Sequence, residues 1–295
     1  MKIAAAAYPL DAVSDWSAYE AKMRGWVEEA AAAGADLLVF PEYGRMELAA
    51  LEGVAIAGDL EGSLGAASRW SDKADALTEA LAVEFGVHIL APSGPVFDGG
   101  ARPVNRAAFF GPEGRLGHQD KQVMTRFERE TWDVVPGDPL RLFETTLGRI
   151  GILICYDAEF PLLGRALAEA GAEIILAPSC TDALAGYSRV RVGAMARALE
   201  NQCVVVHAPT VGDAPWSPAV DENVGAAAIY GPPDLGFPTT GVIAEGPLNQ
   251  PGWVMADVER AAIARVRTEG AVFNHAHWPE SALRAQVSPC DADKP

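Results

Sequence analysis

An α/β fold is predicted by three observations on this 295-residue sequence. Short apolar runs of strand length alternate with stretches of helical spacing. Several of those runs are apolar at successive residues, the mark of strands covered on both faces. With 49% hydrophobic residues, a chain of this length buries a core without disulfide or metal staples. In order, residues 1–8 read as a strand, and Trp16, Tyr19, Met23, Trp26, Val27 and Ala30 recur at helical spacing up to Gly34. Ser17 and Glu20 near the start of that helix have capping-box spacing. The apolar run at 36–40, stopped by Pro41, completes a β-α-β unit. The rhythm recurs as a helix over 71–85 and a strand at 87–91, then a strand at 149–154 and a helix over 162–170 closed by Gly171. A strand at 173–177 and a helix at about 190–202 feeding a strand at 203–207 complete the pattern. By itself this rhythm predicts a doubly wound parallel sheet. Two Gly/Pro-rich stretches, 92–103 and 209–251, read as long pocket-wall loops, the second enclosing a short strand at 226–230. Residues 1–273 are expected to form one domain. Residues 274–295, polar and without periodicity, are expected to be a tail that packs on a neighbouring subunit or stays mobile.

Lys and Arg number 23 against 40 Asp and Glu, a formal net charge of −17. That balance repels phosphate backbones and anionic lipid headgroups, and the basic residues are scattered rather than gathered in a stripe. Nucleic-acid and membrane-surface roles are therefore disfavoured, and a small neutral or cationic partner is expected. No run approaches the roughly 18 apolar residues of a membrane-spanning helix. The N-terminal apolar run is cut by Pro9 and Asp11, so it reads as a strand rather than a leader, and a cytoplasmic location is expected. The cysteines, Cys155, Cys180, Cys203 and Cys290, show neither a C-x-x-C pair nor a His at zinc spacing; no disulfide framework and no metal site are expected.

Three residues stand where chemistry is easily placed. Cys155 directly follows Gly151-Ile-Leu-Ile154 and precedes a helix, at a strand-to-helix turn of the kind that aims a side chain into a cleft. A cysteine behind four apolar residues is also a common small buried hydrophobe, and the segment alone leaves both readings open. Glu42, in Phe40-Pro-Glu-Tyr-Gly44, also lies just beyond a strand, where apolar surroundings would raise its pKa; a solvated loop carboxylate is the other reading. Lys121, read alone, is a surface charge. His207, His275 and His277 read as core packing or solvated tail residues rather than partners for a thiol.

Taken together and in order, Phe40-Pro-Glu42, Lys121, and Cys155-Tyr-Asp-x-x-Phe-Pro161 resemble the motifs of the nitrilase superfamily of carbon–nitrogen hydrolases. Ala177-Pro-Ser179, Arg197-Ala-Leu-Glu-Asn-Gln202 and Asp257-Val-Glu259 extend the resemblance over roughly residues 1 to 275. It implies an α-β-β-α sandwich of two mixed β-sheets in place of the doubly wound sheet, and a homodimer or higher homo-oligomer. It also implies a Glu-Lys-Cys triad with Cys155 as nucleophile, Glu42 as general base and acid, and Lys121 facing the developing oxyanion together with the backbone N–H of Tyr156. No cofactor is implied. A second site glutamate after the lysine is implied as well; Glu128 is favoured and Glu130 expected to be a solvated partner of Arg126 or Arg129.

The chain reads Cys155-Tyr156-Asp157 where true nitrilases carry Trp and Glu, which resembles amide and carbamoyl hydrolases. Glu159 stands where many of those carry Arg, so a neutral or amino-bearing amide suits the site better than a carboxylate-bearing one. Glu159 either contacts a cationic substrate group or turns away to Arg165 or solvent. Cys180 falls where the resemblance places a pocket wall, and inert packing is its other reading. The expected function is hydrolysis of a small amide with release of ammonia. The alternatives are an N-carbamoyl hydrolase with the same triad, a catalytically weak binding module, and a thiol-redox protein, the last disfavoured because no second Cys stands near Cys155 in sequence.

Overall fold

In the computed structural model, which describes residues 1–288, the chain begins β1 (Lys2–Pro9), α1 (Trp16–Ala32), β2 (Leu37–Val39), a 3-10 turn (Gly44–Glu52), α2 (Val54–Ala57) and α3 (Leu60–Phe85). There follow β3 (His88–Leu90), β4 (Gly94–Val96), β5 (Val104–Gly111), β6 (Gly114–Asp120) and α4 (Arg126–Glu130). The second half runs β7 (Leu142–Thr145), β8 (Gly148–Ile152), a 3-10 turn (Cys155–Glu159), α5 (Pro161–Ala170), β9 (Ile174–Ser179), α6 (Leu184–Asn201) and β10 (Val204–Asp213). It closes with β11 (Glu222–Asn223), β12 (Ala228–Tyr230), β13 (Val242–Glu245), β14 (Gly252–Asp257), α7 (Arg260–Glu269) and α8 (Asn274–Arg284).

These strands build two mixed sheets. In the first, β1, β2 and β3 are parallel neighbours, β5 runs antiparallel to β3, β4 and β6, and β14 runs antiparallel to β1. In the second, β8, β9 and β10 are parallel, β7 runs antiparallel to β8, and β12 and β13 continue antiparallel from β10. The sheets join where Tyr8 and Pro9 of β1 pair in parallel with Thr210 and Val211 of β10.

Side chains alternate between layers along each strand. Ile3, Ala5 and Leu37 meet Ile152, Leu176 and Val206 in the core between the sheets. Ala4, Ala6 and Leu38 turn outward onto Met23 and Val27 of α1 and Leu64 and Leu81 of α3. Ile175 and Val205 turn outward onto Leu167 of α5 and Ala194 of α6. The result is the expected α-β-β-α sandwich. It corrects the doubly wound sheet that the strand-helix rhythm alone predicts: each sheet meets helices on one face and the other sheet on its second, and both coverings produce the same unbroken apolar runs.

Several local expectations change. Asp15, not Ser17, caps α1, its side chain accepting from Ala18 N–H. Helix α3 begins at Leu60 rather than near 71, because Gly62, Ser63, Gly65 and Ser68 weaken the helical signal of its first turns. Helix α6 begins at Leu184. The stretch 92–103 holds β4, and 209–251 holds the end of β10 and β11 to β13. The tail forms α8, against which Arg165 of α5 donates to the His275 carbonyl at 3.2 Å and lies 5.0 Å over the Trp278 ring. That contact between residues far apart in sequence has no counterpart in local periodicity. Cys290 lies outside the described residues. Among the described residues no helix is long and apolar enough to cross a membrane.

Candidate active site

The carboxyl ends of β2, β6 and β8 deliver Glu42, Lys121 and Cys155 to one place. Pro41 ends the β2 ladder, and the chain turns sharply at Tyr43, whose φ of 53° is left-handed. Lys121 leaves β6 with its backbone N–H on the Asn105 carbonyl at 2.9 Å. Cys155 opens its 3-10 turn with a φ of 50°, a strained conformation for a residue with a Cβ. Helix α6 presses on that turn: a Cβ on Gly193 would come 2.8 Å from the Ala158 carbonyl, and Arg197 Nη1 donates to the same oxygen at 2.8 Å.

Lys121 Nζ lies 2.7 Å from Glu42 Oε1 and 2.7 Å from Glu128 Oε2, with all three side chains buried. Glu128, not Glu130, is thus the second glutamate at this centre; Glu130 pairs with Arg126 in solvent. Glu128 is held tightly. Thr125 donates to its Oε2 from both N–H and Oγ1 at 2.8 Å, the Thr125-x-x-Glu128 capping box that opens α4, and Tyr43 Oη donates to its Oε1 at 2.7 Å. Glu42 accepts from Asn105 Nδ2 at 2.9 Å and from the Cys180 N–H at 3.0 Å, while Cys155 Sγ faces the Cys180 carbonyl at 3.8 Å.

The electrostatics divide the labour. Burial raises the Glu42 carboxyl to about 7 against the opposing pull of Lys121. Burial pushes Glu128 the same way, but Lys121 and its hydrogen bonds outweigh it and hold this carboxylate below the ordinary value. Burial would discharge Lys121, yet the two carboxylates outweigh it and keep the ammonium charged. The Cys155 thiol is pushed well above its ordinary value by burial and then by the charge of Glu42. A protonated thiol beside a carboxylate able to accept its proton is the consequence.

A cavity of about 570 Å³ opens onto this cluster, and Tyr156, Glu159 and Cys180 also line it. Its walls include Phe127, Trp132 and Val220, and its mouth carries Asp182, Asp221 and Glu222. Glu159 faces Arg189 at 3.7 Å, whereas Arg165 pairs with Glu169 at 2.9 Å, so the expected alternative pairing of Glu159 with Arg165 is not formed. Cys180 stands in the same cavity as Cys155, a proximity that their sequence separation hides. His207 is buried with its Nε2 2.8 Å from Ser179 Oγ, and burial lowers its pKa to about 4, so it is a neutral core residue. Among the described residues, His118, Asp120 and Asp138 bring potential metal-ligating atoms together. Asp120 is gripped by Arg106 at 2.7 Å and Asp138 by Arg141 at 2.7 Å, which makes the cluster an ion-pair network.

Sequence reasoning missed Asn105, Tyr43 and Thr125. The Thr-x-x-Glu capping signature was readable. A lone Asn within an apolar strand carries no such signal.

The carbon–nitrogen hydrolase family profile matches residues 2–268. The chain is 32% identical over 274 residues to the probable hydrolase YhcX of Bacillus subtilis (strain 168), an alignment covering 92% of this chain and 52% of that protein, so it spans about half that relative's length. It is 28% identical over 198 residues to an omega-amidase of Xenopus tropicalis, covering 64% of this chain and 67% of that one. A solved carbon–nitrogen hydrolase from Helicobacter pylori superposes with a TM-score of 0.73 at 17% identity, covering 97% of this chain and 94% of the other. With a profile match that runs from β1 into α7 and the same sandwich in a solved structure, this chain belongs to the carbon–nitrogen hydrolase family.

Proposed function

We propose that this protein hydrolyses the C–N bond of a small amide through a thioester on Cys155. The observation that carries the reading is Lys121 Nζ held 2.7 Å from both Glu42 and Glu128 in the cavity that also exposes the Cys155 thiol. Glu42 takes the thiol proton as sulfur attacks the amide carbon, forming the C–S bond and placing negative charge on the carbonyl oxygen. Lys121 and the backbone N–H of Tyr156 stabilise that oxyanion, a contribution on the order of 3–4 kcal/mol per donor. Collapse of the intermediate breaks the C–N bond, and Glu42 passes its proton to the leaving amine. Glu42 then takes a proton from water as the hydroxide attacks the thioester, and returns it to the sulfur as the carboxylic acid departs. Glu128, ionised and fixed by Thr125 and Tyr43, keeps Lys121 charged and in place.

This role for Glu42 sets a pH dependence. Its carboxyl titrates at about 7 and accepts the thiol proton only when ionised. The value of kcat/KM is expected to fall about tenfold per pH unit below that point. A profile of ammonia release from a panel of amides and N-carbamoyl amines, taken from about pH 5 to 9, checks this; a flat profile across neutrality would remove Glu42 as the base.

The cavity also favours a substrate type. Asp182, Asp221, Glu222 and Glu159 outnumber Arg126 and Arg189 along its wall, a field that attracts an amide bearing a cationic group. Glu159→Gln is expected to raise KM for amino-amides about tenfold while sparing uncharged amides, the scale of one partly exposed charge contact. Equal changes for both substrate types would count against a cation contact at Glu159.

A further inference from the structure

Two members of the triad come from pieces of chain with no strand pairing between them at the site: the loop after β6 carries Lys121, and the turn after β8 carries Cys155. One side chain ties them together. The Asp157 carboxylate, fully buried, accepts the Val123 N–H at 2.8 Å through Oδ1 and the Gln122 N–H at 3.2 Å through Oδ1 and 3.1 Å through Oδ2. Gln122 and Val123 directly follow the lysine, and Asp157 stands two residues past the nucleophile in the same 3-10 turn. That turn is closed on itself by the Asp157 N–H to the Ile154 carbonyl at 3.0 Å and by the Phe160 N–H to the Asp157 carbonyl at 3.2 Å. A displacement of the carboxylate therefore displaces Cys155.

We infer that Asp157 is a positioning residue that sets the distance between Lys121 and Cys155 by clamping the two backbone N–H groups beyond the lysine. The inference rests on the triad proposed above. It explains why a carboxylate sits there although, among the described residues, no ion pair is formed by it. Burial raises its pKa to about 6, an unfavourable environment that an apolar side chain would avoid, and the backbone donors are what the ionised form gains. Bridging the two segments with a side chain rather than a strand pair leaves the cavity open between them.

The test compares Asp157→Ala and Asp157→Asn with the wild type. Alanine removes both acceptor oxygens; asparagine keeps one and, like alanine, removes the charge. The readouts are hydrogen exchange at the Gln122 and Val123 amides, the alkylation rate of Cys155 by iodoacetamide, and kcat for amide hydrolysis. The expected result is faster exchange at both amides in Asp157→Ala. Cys155 alkylation and kcat are expected to be on the order of 10- to 100-fold slower, with Asp157→Asn lying between alanine and wild type. Loss of the charge alone acts oppositely, since a removed anion favours the thiolate and speeds alkylation. Unchanged exchange, faster alkylation, or identical behaviour of the two variants would overturn the inference. If the alanine chain does not fold, the asparagine variant decides, by slower alkylation with raised Gln122 exchange or by neither. A wild type that is alkylated at Cys155 but hydrolyses no amide would sink the amidase reading, while the alkylation and exchange comparison still judges Asp157.

Discussion

Cys155→Ala is expected to reduce amide hydrolysis to background, a loss on the order of 10⁶-fold in kcat, because groups that act as a unit leave little catalysis when the nucleophile is removed. Glu42 and Lys121 retain their geometry in this variant, since neither depends on the thiol: Glu42 is held by Asn105, Lys121 and the Cys180 N–H. The carboxylate has no thiol to deprotonate, and water would have to attack an unactivated amide carbon. Intact mass after incubation with substrate and ammonia release together check the prediction. The wild type is expected to show an acyl adduct and ammonia, and the variant neither. Ammonia release by Cys155→Ala at the wild-type rate would exclude the thioester route.

Lys121→Met is expected to damage both activity and folding. The ammonium pairs with both Glu42 and Glu128, and removing it takes away the counter-charge that these two buried carboxylates share. Breaking a buried pair in this way costs about 3–5 kcal/mol, and losing the oxyanion donor costs on the order of 10²–10³-fold in kcat. The stability loss has a pH signature. Without Lys121 both carboxyls titrate above their unfolded values, so the folded variant binds protons that the unfolded chain has released. The stability these two carboxyls contribute is full below the unfolded carboxylate pKa of about 4.3 and is lost as pH rises through the folded values. Urea unfolding at about pH 5 and 8 is expected to show a larger deficit against wild type at the higher pH. An equal deficit at both would mean that the lysine is held by packing rather than by its two carboxylates.

Much of the site was legible before any tertiary contact was known. Phe40-Pro41-Glu42 and Cys155 each stand at the end of a recognisable strand, and their order with Lys121 between them carries the family resemblance. Thr125-x-x-Glu128 marks a helix start and, with it, the second glutamate. Asn105 was not legible: its partners Glu42 and Lys121 follow other strands, and one Asn in a strand looks the same whether or not it braces a buried carboxylate. Cys180 reads as wall or packing in sequence, because sequence distance hides that β8 and β9 are parallel neighbours whose ends open into one cavity.

The sequence by itself determined the alternation of strands and helices, the placing of Glu42 and Cys155 at strand ends, and a formal net charge of −17. Those properties are local or additive: apolar period, turn chemistry and summed charge are written in neighbouring residues. Tertiary structure decided between two facing sheets, which the family resemblance implies, and one sheet wrapped on both sides, which the apolar rhythm implies, since a strand buried by helices and a strand buried by a second sheet show the same apolar pattern. It also decided which carboxylate titrates near neutrality and which stays ionised. Glu42 and Glu128 are chemically alike and bind the same lysine; burial and the neighbouring charge of Glu128 raise the one, while Lys121 and the donors Tyr43 and Thr125 hold the other low.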